Sequence, residues 1–129
     1  MFLNDIEPCE IQSLLEIAKT PEVGVDIFFQ WINDLDLNTD NLETDLTFID
    51  TWHVYAQLKR ELEKFSKITK KYIIMHDTVV DGVHGETIRL GWDAVQQSRQ
   101  TGFPVEEINR GLVPAVKDFL HLLTFRMPI

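Results

Sequence analysis

Cysteine is nearly absent from this sequence: Cys9 stands alone. An intramolecular disulfide is therefore excluded, and so is a thiolate zinc cluster within one chain. No basic group lies beside Cys9 to activate it, so it reads as a small core or helix-start residue rather than a nucleophile. Glycine is scarce, with six in the chain and none before Gly24. Long apolar runs are missing too. Nothing approaches the roughly 18 consecutive apolar residues of a membrane span, and the opening MFLNDIEP turns acidic too soon for a signal peptide. A cytoplasmic protein with no membrane partner is expected. Basic charge is the minority, 12 Lys and Arg against 21 Asp and Glu, a formal net charge of -9. Such a field repels phosphate backbones, so no nucleic-acid partner is expected. The acids are scattered and form no tail, as on a solvated surface.

Apolar material is plentiful, at 44% of 129 residues, enough for a real core in a single domain over residues 1–129. MFLND (1–5) reads as the end of a strand. EPCEIQSLLEIAKT (7–20) reads as a helix, with Pro8 in its first turn and Ile11, Leu14, Leu15 and Ala18 on one stripe. VDIFFQWI (25–32) is apolar and rich in β-branched and aromatic residues, which predicts a buried strand. An Asn- and Asp-rich loop follows over 33–44. DLTFID (45–50) is a further strand, and HVYAQLKRELEKFSKI (53–68) a clear amphipathic helix with Val54, Leu58, Leu62 and Phe65 on its apolar face. KYIIMHD (71–77) is the next strand. TVVDGVHGE (78–86), with its glycines, reads as a mobile loop. Residues 87–100 read as a helix broken near Gly91, and 111–123 as a final helix with Pro114 in its first turn. Alternating helices and fully apolar strands predict an α/β fold, a parallel Rossmann-like sheet with helices on both faces. Ligands in such sheets bind beyond the carboxyl ends of the strands.

Asp5, Asn33, Asp34, Asp50, His76 and Asp77 all fall where strands end. Asp50 and the pair His76–Asp77 close two consecutive strands. If those are parallel neighbours about 4.8 Å apart, two carboxylates and an imidazole reach one point and can ligate a divalent cation. The plainer reading is that both acids cap the turns that follow. His53, three residues after Asp50, is either a base at the crevice or a helix-start residue bonded to backbone. His84 and Glu86 either close over a ligand or are solvated. His121 is expected to be unrelated, and Trp31 and Trp52 to pack in the core.

The segments DLTFIDTWHVYAQLKREL and KKYIIMHDT resemble the second half of class I S-adenosylmethionine-dependent methyltransferases, within them the metal-dependent O-methyltransferases and the cephalosporin-hydroxylase-like group. The resemblance implies divalent-metal ligands at Asp50, His76 and Asp77, with magnesium or manganese as the ion and His53 as a catalytic base. LNDIEPCE resembles the end of the family's second strand and implies that Asp5 binds the ribose of S-adenosylmethionine. FFQWINDLD resembles the end of the third, which implies that Asn33 or Asp34 faces the adenine. The implied function is metal-assisted O-methyl transfer to a small-molecule acceptor.

The chain departs from the family pattern. Few residues precede Asp5, so the first strand and its glycine-rich loop are lacking, and the C-terminal hairpin is lacking too. The core is thus a truncated one, expected to transfer methyl groups poorly by itself. His76 in place of an acid is a softer ligand than magnesium prefers, which admits manganese, iron or nickel. Without the first strand, residues near 2–5 are expected to pair directly with those near 45–50, or the chain to need a homo-oligomer or a complementing polypeptide. Three readings stand: a methyltransferase-like enzyme, a non-catalytic remnant or interaction module, and a metal-dependent hydrolase using Asp50, His53, His76 and Asp77.

Overall fold

A computed structural model describes residues 1–7 and 11–126. Pro8 and Cys9, with the roles expected of them, lie outside the described residues. The fold is α/β with parallel strand pairing, and it divides into two compact units, Met1–Asn38 and Thr39–Ile129.

The first unit is a single β-α-β crossover. Strand β1 (Phe2–Asp5) pairs in parallel with β2 (Phe28–Trp31), Phe2 opposite Phe28 and Asp5 opposite Trp31. Helix α1 (Gln12–Ala18) connects them; Pro21 follows two residues after its C-cap Lys19, and Pro disfavours helix in the residue before it. The expected burial of β2 is not observed: Phe28 is 53% and Trp31 59% exposed. Two strands crossed by one short helix offer cover for at most one face, so apolar composition alone does not bury the strand. Trp31 is accordingly not a core residue.

The second unit repeats the crossover and extends it. Strand β3 (Thr44–Ile49) leads through α2 (Tyr55–Phe65) to β4 (Thr69–Met75), which lies parallel to β3 with Ile49 opposite Met75. Four helices follow: α3 (Glu86–Arg89), α4 (Ala94–Thr101), α5 (Val105–Ile108) and α6 (Leu112–Arg126). The chain breaks between α3 and α4 around Gly91, as the sequence predicts, and Asp93 caps α4 by accepting from the N–H groups of Val95 and Gln96. The short α5 was not expected; it follows Pro104, whose extended backbone starts it.

The pairings β1–β2 and β3–β4 are the ones expected. Each joins strands linked by their own crossover helix, the closure with the smaller entropic cost.

The apolar face of α2 carries the core. Leu58 and Leu62 are 2% and 1% exposed and pack with Ile49, Tyr55, Leu112 and Ala115; Ile73, Met75, Val116 and Phe119 close around them. Each such leucine contributes about 1.5–3 kcal/mol of burial. Val54, Ala56 and Ile108 form a second buried group with Trp52, Ala94 and Phe103. Alternation decides which strand residues join: Ile73 and Met75 face the helices, whereas Leu46, Phe48, Tyr72 and Ile74 lie on the exposed face. Glu107 ties α5 to α2, accepting from Arg60 Nη1 at 2.8 Å and Lys59 Nζ at 3.2 Å.

Leu62→Ala is expected to lower the unfolding free energy by about 2–5 kcal/mol, and Phe48→Ala by less than about 1 kcal/mol, in urea titrations; equal losses would place the core elsewhere. Burial alone would raise the pKa of Glu107, but Arg60 and Lys59 outweigh it and hold the carboxyl below its ordinary range. A carboxylate depressed on folding stabilises above its unfolded pKa, about 4.3, and loses that contribution as pH falls through the folded value. Glu107→Gln should therefore be less stable than the natural chain at pH 7, with the gap closing below about pH 4. A gap that persists in acid would show that the charge is not its cause.

Candidate metal centre

The parallel register of β3 and β4 builds the site. Ile49 lies opposite Met75, and the His76 N–H donates to the Ile49 carbonyl at 3.0 Å, so the ladder continues one step past the strands. Asp50 and His76 are thereby side by side at the carboxyl ends. Asp77 then takes a left-handed backbone, φ +52°, a conformation that Asp tolerates better than most side chains. Its Oδ2 lies 3.4 Å from His76 Nδ1, and Asp50 Oδ1 lies 3.3 Å from the same nitrogen.

His53 joins from the segment leading into α2. Its Nε2 is 3.0 Å from Asp50 Oδ1, and its Nδ1 is 3.1 Å from Asp81 Oδ2 and 3.7 Å from Asp77 Oδ2. Backbone bonds hold this histidine in place. Its N–H donates to Glu86 Oε2 at 3.2 Å, and its carbonyl accepts from the Glu86 N–H at 2.8 Å. Helix α2 consequently starts at Tyr55 rather than at His53. Ile49, Leu58, Met75 and Leu112 line a small apolar hollow together with His53 and His76.

The segment 78–86 is a loop with Val79, Val80 and Val83 exposed, and its middle is tied to the start of α6. The carbonyls of Asp81, Gly82 and Val83 accept from the N–H groups of Leu112, Val113 and Gly111, giving the start of α6 the acceptors that a helix N-terminus lacks. Gly111 has no alternative there, since a Cβ would run into the carbonyl oxygens of Asp81 and Gly82. The result is a fully buried Asp81 side chain. Arg89 donates to it twice, Nε to Oδ1 at 2.5 Å and Nη2 to Oδ2 at 3.0 Å. Arg89 holds the Asp81 carboxyl below the usual carboxylate range against the upward push of burial, and His53 adds to its effect.

Asp50, His53 and His76 offer ligand atoms within 4.8 Å of one another, and so do His53, Asp77 and Asp81. Ligand atoms about 2.0–2.2 Å from a shared ion fall inside that separation. Asp50 is 46% and His76 52% exposed, so the first group is open to solvent.

No family model matches the chain, and no curated protein or solved structure matches it.

The residues singled out from the sequence thus separate into two sets. Asp50, His53, His76 and Asp77 come together. Asp5, Asn33 and Asp34 belong to the other unit, where local turns use them: Asp5 Oδ1 accepts from the Glu7 N–H at 3.1 Å, and Asn33 Oδ1 from the Leu35 N–H at 3.0 Å in the 3-10 turn Asp34–Asp36. A Cβ on Gly24 would meet nothing within 4 Å, so no close backbone cradle exists at the one glycine of this unit. His84 is exposed, and His121 is an exposed α6 residue edge-on to Phe125. Trp52 packs with Phe103 and donates to Thr87 Oγ1 at 3.2 Å. Sequence reasoning missed Asp81 and Arg89. The only signal is an acid set between Val80 and Gly82, too common to single out.

Gly85 meets His53 from behind. Its φ is +82°, and a Cβ would lie 2.9 Å from the His53 carbonyl oxygen and 3.0 Å from that of Arg110. Gly85→Ala is expected to cost at least about 1 kcal/mol in thermal unfolding and to shift the His53 ring resonances. A variant as stable as the natural chain, with those resonances unmoved, would contradict this account of the site.

Proposed function

We propose that the unit Thr39–Ile129 binds a divalent transition metal through Asp50, His53 and His76, with Asp77 beside them, and acts on a small molecule that carries an oxygen function. The observation that supports this reading is the meeting of one carboxylate and two imidazoles at the ends of adjacent parallel strands, within 4.8 Å and open to solvent. Two nitrogens and one oxygen suit manganese, iron, nickel or zinc better than magnesium. A bound ion would polarise an oxygen-bearing ligand and lower its pKa.

The chain's own residues supply the rest. Asp50 lies between the two histidines and balances the charge. Asp77 keeps its carboxylate within reach of both rings. Both ring nitrogens of His53 face carboxylates, so a ligand role suits this residue better than that of a free base. Methyl transfer to a hydroxyl is the reaction that the family resemblance adds, with S-adenosylmethionine as donor. The turn-bound state of Asp5 and Asn33 lends the donor half no support, and no step is assigned to it. A hydrolase is the second reading, favoured by the joint convergence of Asp50, His53, His76 and Asp77, which needs no methyl donor.

Calorimetric titration with manganese, cobalt or zinc is expected to show a single ion per chain. His76→Ala and Asp50→Ala should each weaken binding by at least the 10–100-fold typical of losing an outer partner. Unaltered affinity in both variants would remove the site. Parallel titration with S-adenosylmethionine, and an ester and phosphoester panel with added manganese, separates the two reactions.

A further inference from the structure

Asp81 differs from the other acids of the cluster. Its side chain has no exposed surface, and both of its oxygens are engaged, Oδ1 by Arg89 Nε and Oδ2 by Arg89 Nη2 and His53 Nδ1. A carboxylate already neutralised by a guanidinium is a poor ligand, which sets Asp81 apart from Asp50 and Asp77. What it can do is choose the proton position on His53. A neutral imidazole has one N–H donor and one acceptor nitrogen. Each nitrogen here faces a carboxylate, Nδ1 that of Asp81 at 3.1 Å and Nε2 that of Asp50 at 3.0 Å. A bare Nδ1 would place two acceptors face to face with no water between them, which is costly at a buried group. A bare Nε2 faces the half-exposed Asp50, where a cation can sit between nitrogen and oxygen.

We propose that Asp81, clamped by Arg89, is a positioning residue that accepts the hydrogen bond from the Nδ1–H of His53, keeps the proton on that nitrogen and so presents Nε2 as the metal-binding nitrogen. This rests on the metal reading above for its consequence, though the proton position itself can be measured without metal. Ligating histidines commonly donate their second N–H to a carboxylate, which fixes the ring and raises its basicity. The Glu86 bonds to the His53 backbone serve the same end, since the ring cannot back away from Asp81.

Removing the acceptor makes the test sharp. In Asp81→Leu nothing at that position can accept from Nδ1, and the Asp50 carboxylate 3.0 Å from Nε2 draws the proton there. Nitrogen-15 NMR of the metal-free chain, at a pH where His53 carries a single ring proton, reads this directly. The expected result is a proton on Nδ1 in the natural chain and on Nε2 in Asp81→Leu, with manganese or zinc affinity reduced about 10–100-fold and a cooperative unfolding transition retained. A proton on Nε2 in the natural chain overturns the proposal, and so does an Asp81→Leu variant with unchanged tautomer and affinity. Should the variant fail to fold, the spectrum of the natural chain decides alone. A tautomer that switches as stated in a chain that binds no ion would uphold the role of Asp81 and remove the metal reading instead.

Discussion

A carboxylate with no exposed surface has to be compensated, and the unit Thr39–Ile129 is arranged around that demand at Asp81. An unpaired buried charge costs several kcal/mol; here Arg89 meets it bidentately and His53 meets it from the other side. The compensation binds three distant pieces of chain into one body: the approach to α2, the segment after β4, and α3. The backbone follows the same logic. The loop carbonyls that would otherwise be unsatisfied beside Asp81 accept the first N–H groups of α6, and those N–H groups in turn have no partner within their own helix. Side-chain and backbone needs are thus met by one docking event.

The location of the candidate metal centre follows from strand geometry. Inside a sheet, alternation commits each side chain to a covered or an open face, and Ile73 and Met75 spend theirs on the core. One step past the last paired residues that commitment ends. Polar groups there are solvated at little cost, yet the ladder still fixes their backbone. Asp50 and His76 occupy that position, with apolar Ile49 and Met75 immediately beneath. A rigid base under a wet rim is what a ligand set needs, since positions must be held closely while one side stays open.

The two crossovers show how much the same local pattern depends on what surrounds it. Both are β-α-β units with parallel pairing. In the second, α2 presents a long apolar stripe and α6 packs across it, so that face is covered. In the first, α1 is seven residues long and buries only Ala18, and the aromatic side chains of β2 stay exposed. Composition marks a strand as apolar; it takes a second covering element to make it buried.

Much of the architecture was legible because it rests on short-range rules. The period of Val54, Leu58, Leu62 and Phe65 specified α2 and its buried face, the glycine at 91 broke the helix where a break occurs, and the strand-end placement of Asp50, His76 and Asp77 brought those residues together. The sequence by itself determined the strands, the longer helices and the chemistry available at the strand ends, since propensity, periodicity and turn residues act within a few positions. Tertiary structure alone decided that β2 stays exposed, that the carbonyls of the glycine-flanked segment meet the start of α6, and that Asp81 and Arg89 stand behind His53. Those outcomes turn on loop closure, on which faces find cover and on how a buried charge finds its counter-charge, all of them contacts between residues that sequence spacing does not relate.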